Sequence, residues 1–98
     1  MAEQPTPAVQ DYLKAIHRLG GADAGVPAGK IAGALGVKAP SAHGMLKRLA
    51  DAGWIEYAAG GGAKLSLAGR TEALRVIRRH RLVELFLTQV LKLDWSEV

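Results

Sequence analysis

Apolar residues recur at helical spacing from position 8 onward. Val9, Tyr12, Leu13, Ile16 and Leu19 fall on one face of a helix that Gly20 and Gly21 end. The polar stretch "GADAGV" that follows reads as a loop. In "PAGKIAGALG", Pro27 suits a first helical turn, and Ile31, Ala32 and Leu35 form a short apolar stripe. Gly36 stands where a left-handed residue closes a helix. Pro40 opens a third helix, "PSAHGMLKRLADAG", with Ala42, Met45, Leu46 and Leu49 facing inward and Gly53 at its end. Two short helices joined by a tight turn, with glycine at the break, are the pattern of a helix-turn-helix.

The period then changes. "WIEY", the flexible "AAGGGA" and "KLSL" predict a β-hairpin, after which Ser66 caps a long fourth helix expected to run to about Leu91. The predicted fold is mainly α with a small β-hairpin: a winged helix-turn-helix over residues 1–72, then a long linking helix. In the closing "LDWSEV", Asp94 with Glu97 three residues later reads as a capping box that starts another helix. On that reading the chain is a fragment, cut as a further helix begins.

Composition narrows the function. The chain has 98 residues, enough for one small domain, and its low aromatic content rests the core on Leu, Ile and Val. A net charge of +4 points to an acidic partner, most simply nucleic acid. With no cysteine there is no disulfide and no thiolate metal site. "MAEQPTPAVQ" has neither the basic nor the apolar region of a signal peptide. "LVELFLTQVL" is interrupted by Glu84 and Gln89 and is too short to span a bilayer. A cytoplasmic protein without membrane contact is expected. No nucleophile–base pair, phosphate loop or complete metal site is legible, so an enzyme is not expected.

A recognition helix needs one apolar face for its own domain and one polar face for the major groove. The outward positions of the third helix are Ser41, His43, Gly44, Lys47, Arg48 and Asp51. Ser41 and His43, near its start, are the expected base-edge readers. Lys38, Lys47 and Arg48 suit phosphates, as do Lys30 on the second helix and Lys64 on the hairpin. Gly44 leaves room for close backbone approach, and Pro40 offers an apolar contact to a thymine methyl. Any one lysine alone reads as a solvated charge. The set on one helix-turn-helix face reads as binding to double-stranded DNA.

"RRHRLVE" raises a second question. His80 and Glu84 are four residues apart, about 40° on the helical wheel, on the face that also carries Ala73, Ile77, Leu87 and Leu91. They are expected to point toward packed structure. A histidine and a carboxylate so spaced can share a divalent ion, and Asp11, beside the inward-facing Tyr12, is a candidate third ligand. The same spacing also suits a plain ion pair, and the residues alone leave both readings open.

"QDYLKAIHRLG", "IAGALGVKAPSAHGMLKRLADAGWIEY", "KLSLAGR", "RVIRRHRLVELFL" and "LDWSEV" together resemble, in order and spacing, the iron- and manganese-dependent repressors typified by the diphtheria toxin repressor. The resemblance covers nearly the whole chain. It implies a winged-helix DNA-binding domain followed, over residues 73–98, by the linking helix and the start of a truncated metal-binding and dimerisation domain. It implies a homodimer that binds Mn²⁺ or Fe²⁺ and represses at palindromic operators. His80 and Glu84 match metal ligands of the family, and Asp11 matches a position that carries aspartate in manganese-type members. Lys14 departs from those members, which have a glutamate ligand there. Lys38 replaces a small capping residue, and Gly61 replaces a basic residue common at the wing tip. The family's remaining ligands belong to the helix that "LDWSEV" begins, so weak or no metal binding is expected from Asp11, His80 and Glu84 alone. The rival readings are a metal-independent winged-helix regulator and a winged-helix protein-interaction module.

Overall fold

The computed structural model describes residues 4–95, with side chains through residue 90. Four helices and one hairpin follow in the order α1 (Pro7–Arg18), α2 (Ala28–Leu35), α3 (Ala39–Asp51), β1 (Ile55–Ala58), β2 (Gly62–Leu65) and α4 (Leu67–Trp95). The helix ends differ in what fixes them locally. The Val9 amide donates to the Thr6 hydroxyl at 3.2 Å, with Pro7 in the first turn of α1. α3 has Lys38 at its N-cap position, without a side-chain cap, and Pro40 in its first turn. Gly36, at φ 69°, closes α2 in the left-handed conformation that glycine adopts without steric cost.

Leu13 and Ile16 of α1, Ile31 of α2, and Leu46 and Leu49 of α3 are fully or almost fully buried. Each contributes roughly 1.5–3 kcal/mol by leaving water. Ile55, Ala63 and Leu65 from the hairpin and Ala73 from α4 complete the same cluster. α1 packs against α4, α2 and β2, whereas α3 is held chiefly by α2 and β1. This is the winged helix-turn-helix with a long helix that the sequence predicts.

The sheet is larger than the two strands read from the sequence. β1 and β2 pair antiparallel with Ile55 opposite Leu65 and Tyr57 opposite Ala63. On the other edge of β2, Val26 and Ala63 exchange two backbone hydrogen bonds of 2.8 Å, and the Leu65 amide donates to the Gly21 carbonyl at 2.8 Å. The stretch expected as a plain loop therefore supplies a third rung of the sheet. It satisfies β2 amide and carbonyl groups that would otherwise lack partners in the interior.

Ser66 clasps the start of α4. Its hydroxyl accepts from the Gly69 amide at 3.1 Å and lies 2.9 Å from the Trp54 carbonyl and 2.7 Å from that of Gly53. The expected cap is present, and it also ties α4 back to the turn after α3. α4 then runs past Leu91 to Trp95. Asp94 lies inside it, so the helix does not restart there; Glu97 lies outside the described residues. A capping aspartate needs a break in the helix before it, and "VLKLDW" has no glycine or proline to make one.

Gly62 joins the wing to this third rung. Its φ is 78°, and a Cβ there would meet the Val26 carbonyl oxygen at 2.6 Å. Gly62→Ala is expected to lower stability by about 2 kcal/mol or more, from left-handed strain together with a backbone clash. Gly61→Ala, whose nearest new neighbour is the Ala58 Cβ at 3.4 Å, is expected to change it by less than about 0.5 kcal/mol. Urea denaturation of the two variants checks the contrast; equal losses would show that the Val26 junction does not constrain the wing.

Candidate nucleic-acid interface and metal-ligand positions

α3 presents two unlike faces. Ala42, Leu46 and Leu49 are buried, whereas Pro40, Ser41, His43, Lys47, Arg48 and Asp51 are exposed. Gly44 lies about 160° around the helix from Leu46, at the middle of the outward face. No atom lies within 4 Å of the position a Cβ would take there. Lys38 is exposed at the N-terminus of the helix. The α3 residues singled out from the sequence thus share one solvent-facing surface. Lys30 is exposed on α2, and Lys64 is exposed on β2 directly opposite Glu56. That carboxylate offsets part of the local charge at Lys64, as Asp51, one turn further along α3, does at Lys47.

His43 is more constrained than its exposure suggests. Its Nδ1 lies 2.7 Å from the Tyr57 hydroxyl, and the rings meet edge to face with centroids 5.5 Å apart. Tyr57 was not singled out from the sequence. The available signal was the two-residue strand period, which puts Tyr57 on the same face as buried Ile55 and leaves its polar tip needing a partner.

Glu72 was also missed. It lies on the α4 stripe with Gly69, Ala73 and Val76, and it is the buried charged residue of the described chain, 8% exposed. Arg75 donates to it through Nε at 3.1 Å and Nη2 at 3.0 Å, and Gln10 Nε2 donates from α1 at 3.2 Å. The Arg75 hydrogen bonds hold its carboxyl below the usual glutamate value. Burial opposes them, while Gln10 and the charges of Arg75 and Arg79 add to the lowering.

The metal-ligand positions are arranged differently from expectation. His80 and Glu84 are exposed rather than turned into packed structure. Gln10 meets Glu72 and Lys14 meets His80, but α1 ends at Arg18, so nothing on the described chain covers the next turns of α4. Lys14 Nζ stands 3.5 Å from His80 Nδ1, a long contact that brings a cation to the imidazole. Asp11 is exposed and borders a shallow depression with Lys14, Arg18 and Leu35. Among the described residues, no group of three or more His, Asp or Glu side chains is arranged to hold a metal ion. The donor types suit a divalent ion, but these residues do not by themselves make its site. No described helix is long and apolar enough to cross a membrane.

The comparisons with known proteins bear on both surfaces. Residues 5–63 match the family model for the iron dependent repressor, N-terminal DNA binding domain. Residues 66–98 match that for the iron dependent repressor, metal binding and dimerisation domain. A search of curated protein sequences returns no match. Among solved structures, the chain is similar to ScaR, crystallised with bound Zn²⁺, at 29% identity and a TM-score of 0.71. The likeness covers 85% of this chain and 38% of the ScaR chain.

Because the Glu72 carboxyl titrates below its ordinary value, its contribution to stability is fully present above the unfolded glutamate pKa. It is lost as pH falls through the lower folded value. Melting curves of wild type and Glu72→Gln between ~pH 7 and ~pH 3 test this. The variant is expected to melt several degrees lower at neutral pH, with the gap closing at the acid end. A gap independent of pH would assign the loss to packing rather than charge.

Proposed function

The chain belongs to the iron-dependent repressor family, and on that premise we propose that it is the DNA-reading part of a metal-responsive transcriptional repressor. The observation that carries the proposal is α3, with a sealed apolar face and an outward face that has Lys38, Lys47 and Arg48 around a bare Gly44. On this reading Ser41 and His43 meet base edges, Pro40 packs on a thymine methyl, and Gly44 lets the helix backbone sit deep in the major groove. Lys30, Lys38, Lys47, Arg48 and Lys64 neutralise phosphates. The reading unit occupies residues 1–72, and α4 from residue 73 links it to the dimerisation region.

The partner is a palindromic duplex read by a homodimer. Exposed Leu82, Val83, Leu85, Phe86, Leu87 and Val90 encircle the outer part of α4. A helix that is apolar all round requires cover on more than one side. Asp11, His80 and Glu84 are proposed as contributors to a divalent-ion site whose other donors lie beyond the described residues. The ion is Mn²⁺ or Fe²⁺, and the resemblance of Asp11 to the aspartate of manganese-type members supports Mn²⁺. The protein is proposed to act in the cytoplasm and to catalyse no reaction. One observation favours a second reading, a metal-independent winged-helix regulator: the cation of Lys14 already stands beside His80.

Fluorescence anisotropy on a labelled palindromic duplex, at two salt concentrations with and without Mn²⁺, tests the proposal. The chain is expected to bind with strong salt dependence and without response to Mn²⁺. Lys47→Ala is expected to weaken all duplexes alike and to reduce the salt slope by about 1. Absence of salt-dependent binding would refute the DNA-reading role. In a chain extended over the family's full dimerisation region, Mn²⁺ is expected to tighten binding and His80→Ala to abolish that tightening. Tightening that survives the substitution removes His80 from the site, and no effect of Mn²⁺ at all selects the metal-independent reading.

A further inference from the structure

The contact between His43 and Tyr57 joins the outward edge of α3 to the wing. Tyr57 is half-buried on β1 opposite Ala63, and Ala63 is fully buried and pinned from its other side by Val26. The phenol therefore projects from a braced strand toward α3. The separation of 2.7 Å is the usual O–H donor distance and the short end of the N–H donor range. With the phenol as donor, His43 Nδ1 is the acceptor. A neutral imidazole carries one proton, so it resides on Nε2, the ring nitrogen not engaged by Tyr57.

That assignment gives the side chain a direction of readout. In the major groove guanine (N7 and O6), adenine (N7) and thymine (O4) all offer acceptors, whereas cytosine offers only its N4 amino donor. An Nε2–H donor pairs with any of these acceptors and is left without a partner by cytosine. Without the Tyr57 hydroxyl the proton is free to move to Nδ1, and Nε2 then accepts from an amino group equally well. We infer that Tyr57 is a positioning residue for sequence recognition: it holds His43 as an Nε2–H donor, so that this side chain accepts guanine, or another base with an acceptor edge, and rejects cytosine at the position it contacts. The inference rests on the reading of α3 as the recognition helix and adds to it the class of base and the residue that sets the choice.

Tyr57→Phe keeps the ring in the sheet and removes only the hydroxyl, and a melting curve close to wild type verifies that the variant folds. Long-range ¹H–¹⁵N spectra of the labelled chain, taken above the imidazole titration range, read the two ring nitrogens of His43 directly. The expected result is a bare Nδ1 and a protonated Nε2 in wild type, and a mixture of tautomers in Tyr57→Phe. Binding to a randomised duplex pool should show one position favouring guanine over cytosine. Tyr57→Phe should reduce that preference about threefold to tenfold, the worth of one hydrogen bond, with the salt slope unchanged. His43→Ala should abolish the preference at the same position. A protonated Nδ1 in wild type, or an unaltered base profile in Tyr57→Phe, overturns the inference while leaving α3 as the reader. If His43→Ala leaves the profile intact while Lys47→Ala still weakens binding, α3 binds DNA but His43 does not read it. If neither substitution has any effect, the reading of α3 itself fails and the inference falls with it.

Discussion

The removal of Leu13 and Ile16 from water links three otherwise separate parts of the molecule to one helix. Both side chains are wholly shielded, and α1, which carries them, touches α2, β2 and α4. α3 has no comparable hold on α1 and takes its position from α2 and β1. The orientation of the recognition surface is therefore set at second hand, through the packing of Ile31 and Ala32 on one side and the braced hairpin on the other. A defect in the α1 seam would reach α3 without altering any residue on its outward face.

The helices were legible because each has a strong periodic stripe and a local stop signal; Gly36 and Gly53 do have the positive φ that a terminating glycine allows. The outward face of α3 was legible for the same reason, since a helical period assigns every α3 side chain to a face. What escaped were features made by residues distant in sequence. The Val26–Ala63 rung depends on a loop meeting a strand, and nothing in "GADAGV" announces it. Glu72 and Gln10 are 62 residues apart, and Tyr57 is 14 from His43. The packing expected around His80 and Glu84 failed for a related reason. The wheel gives the correct face, but only tertiary structure reveals where the facing helix ends.

The wing contributes rigidity more than charge. Its tip of Ala59, Gly60 and Gly61 carries no ionic group, while its base is pinned twice, by Val26 and by the Ser66 clasp. Apart from Lys64 on β2, such a hairpin offers phosphates little, and it is well made for presenting one side chain at a fixed position. In this protein that side chain is Tyr57, and His43 of α3 stands beside it.

The Gln10–Glu72–Arg75 network has a mechanical consequence. It sits near the root of α4, and past His80 nothing on the described chain covers the helix; Val90, 18 residues from Glu72, is roughly 27 Å away at 1.5 Å per residue. A rotation of only about 10° at that root would sweep Val90 through roughly 5 Å, a full helical pitch. In a two-fold pair of the proposed kind both arms add their error, against a half-site separation of about 34 Å. The stiffness of one buried carboxylate thus acts as the fulcrum of a long lever, and small angular play there is magnified into misregister at the distance over which two reading heads must agree.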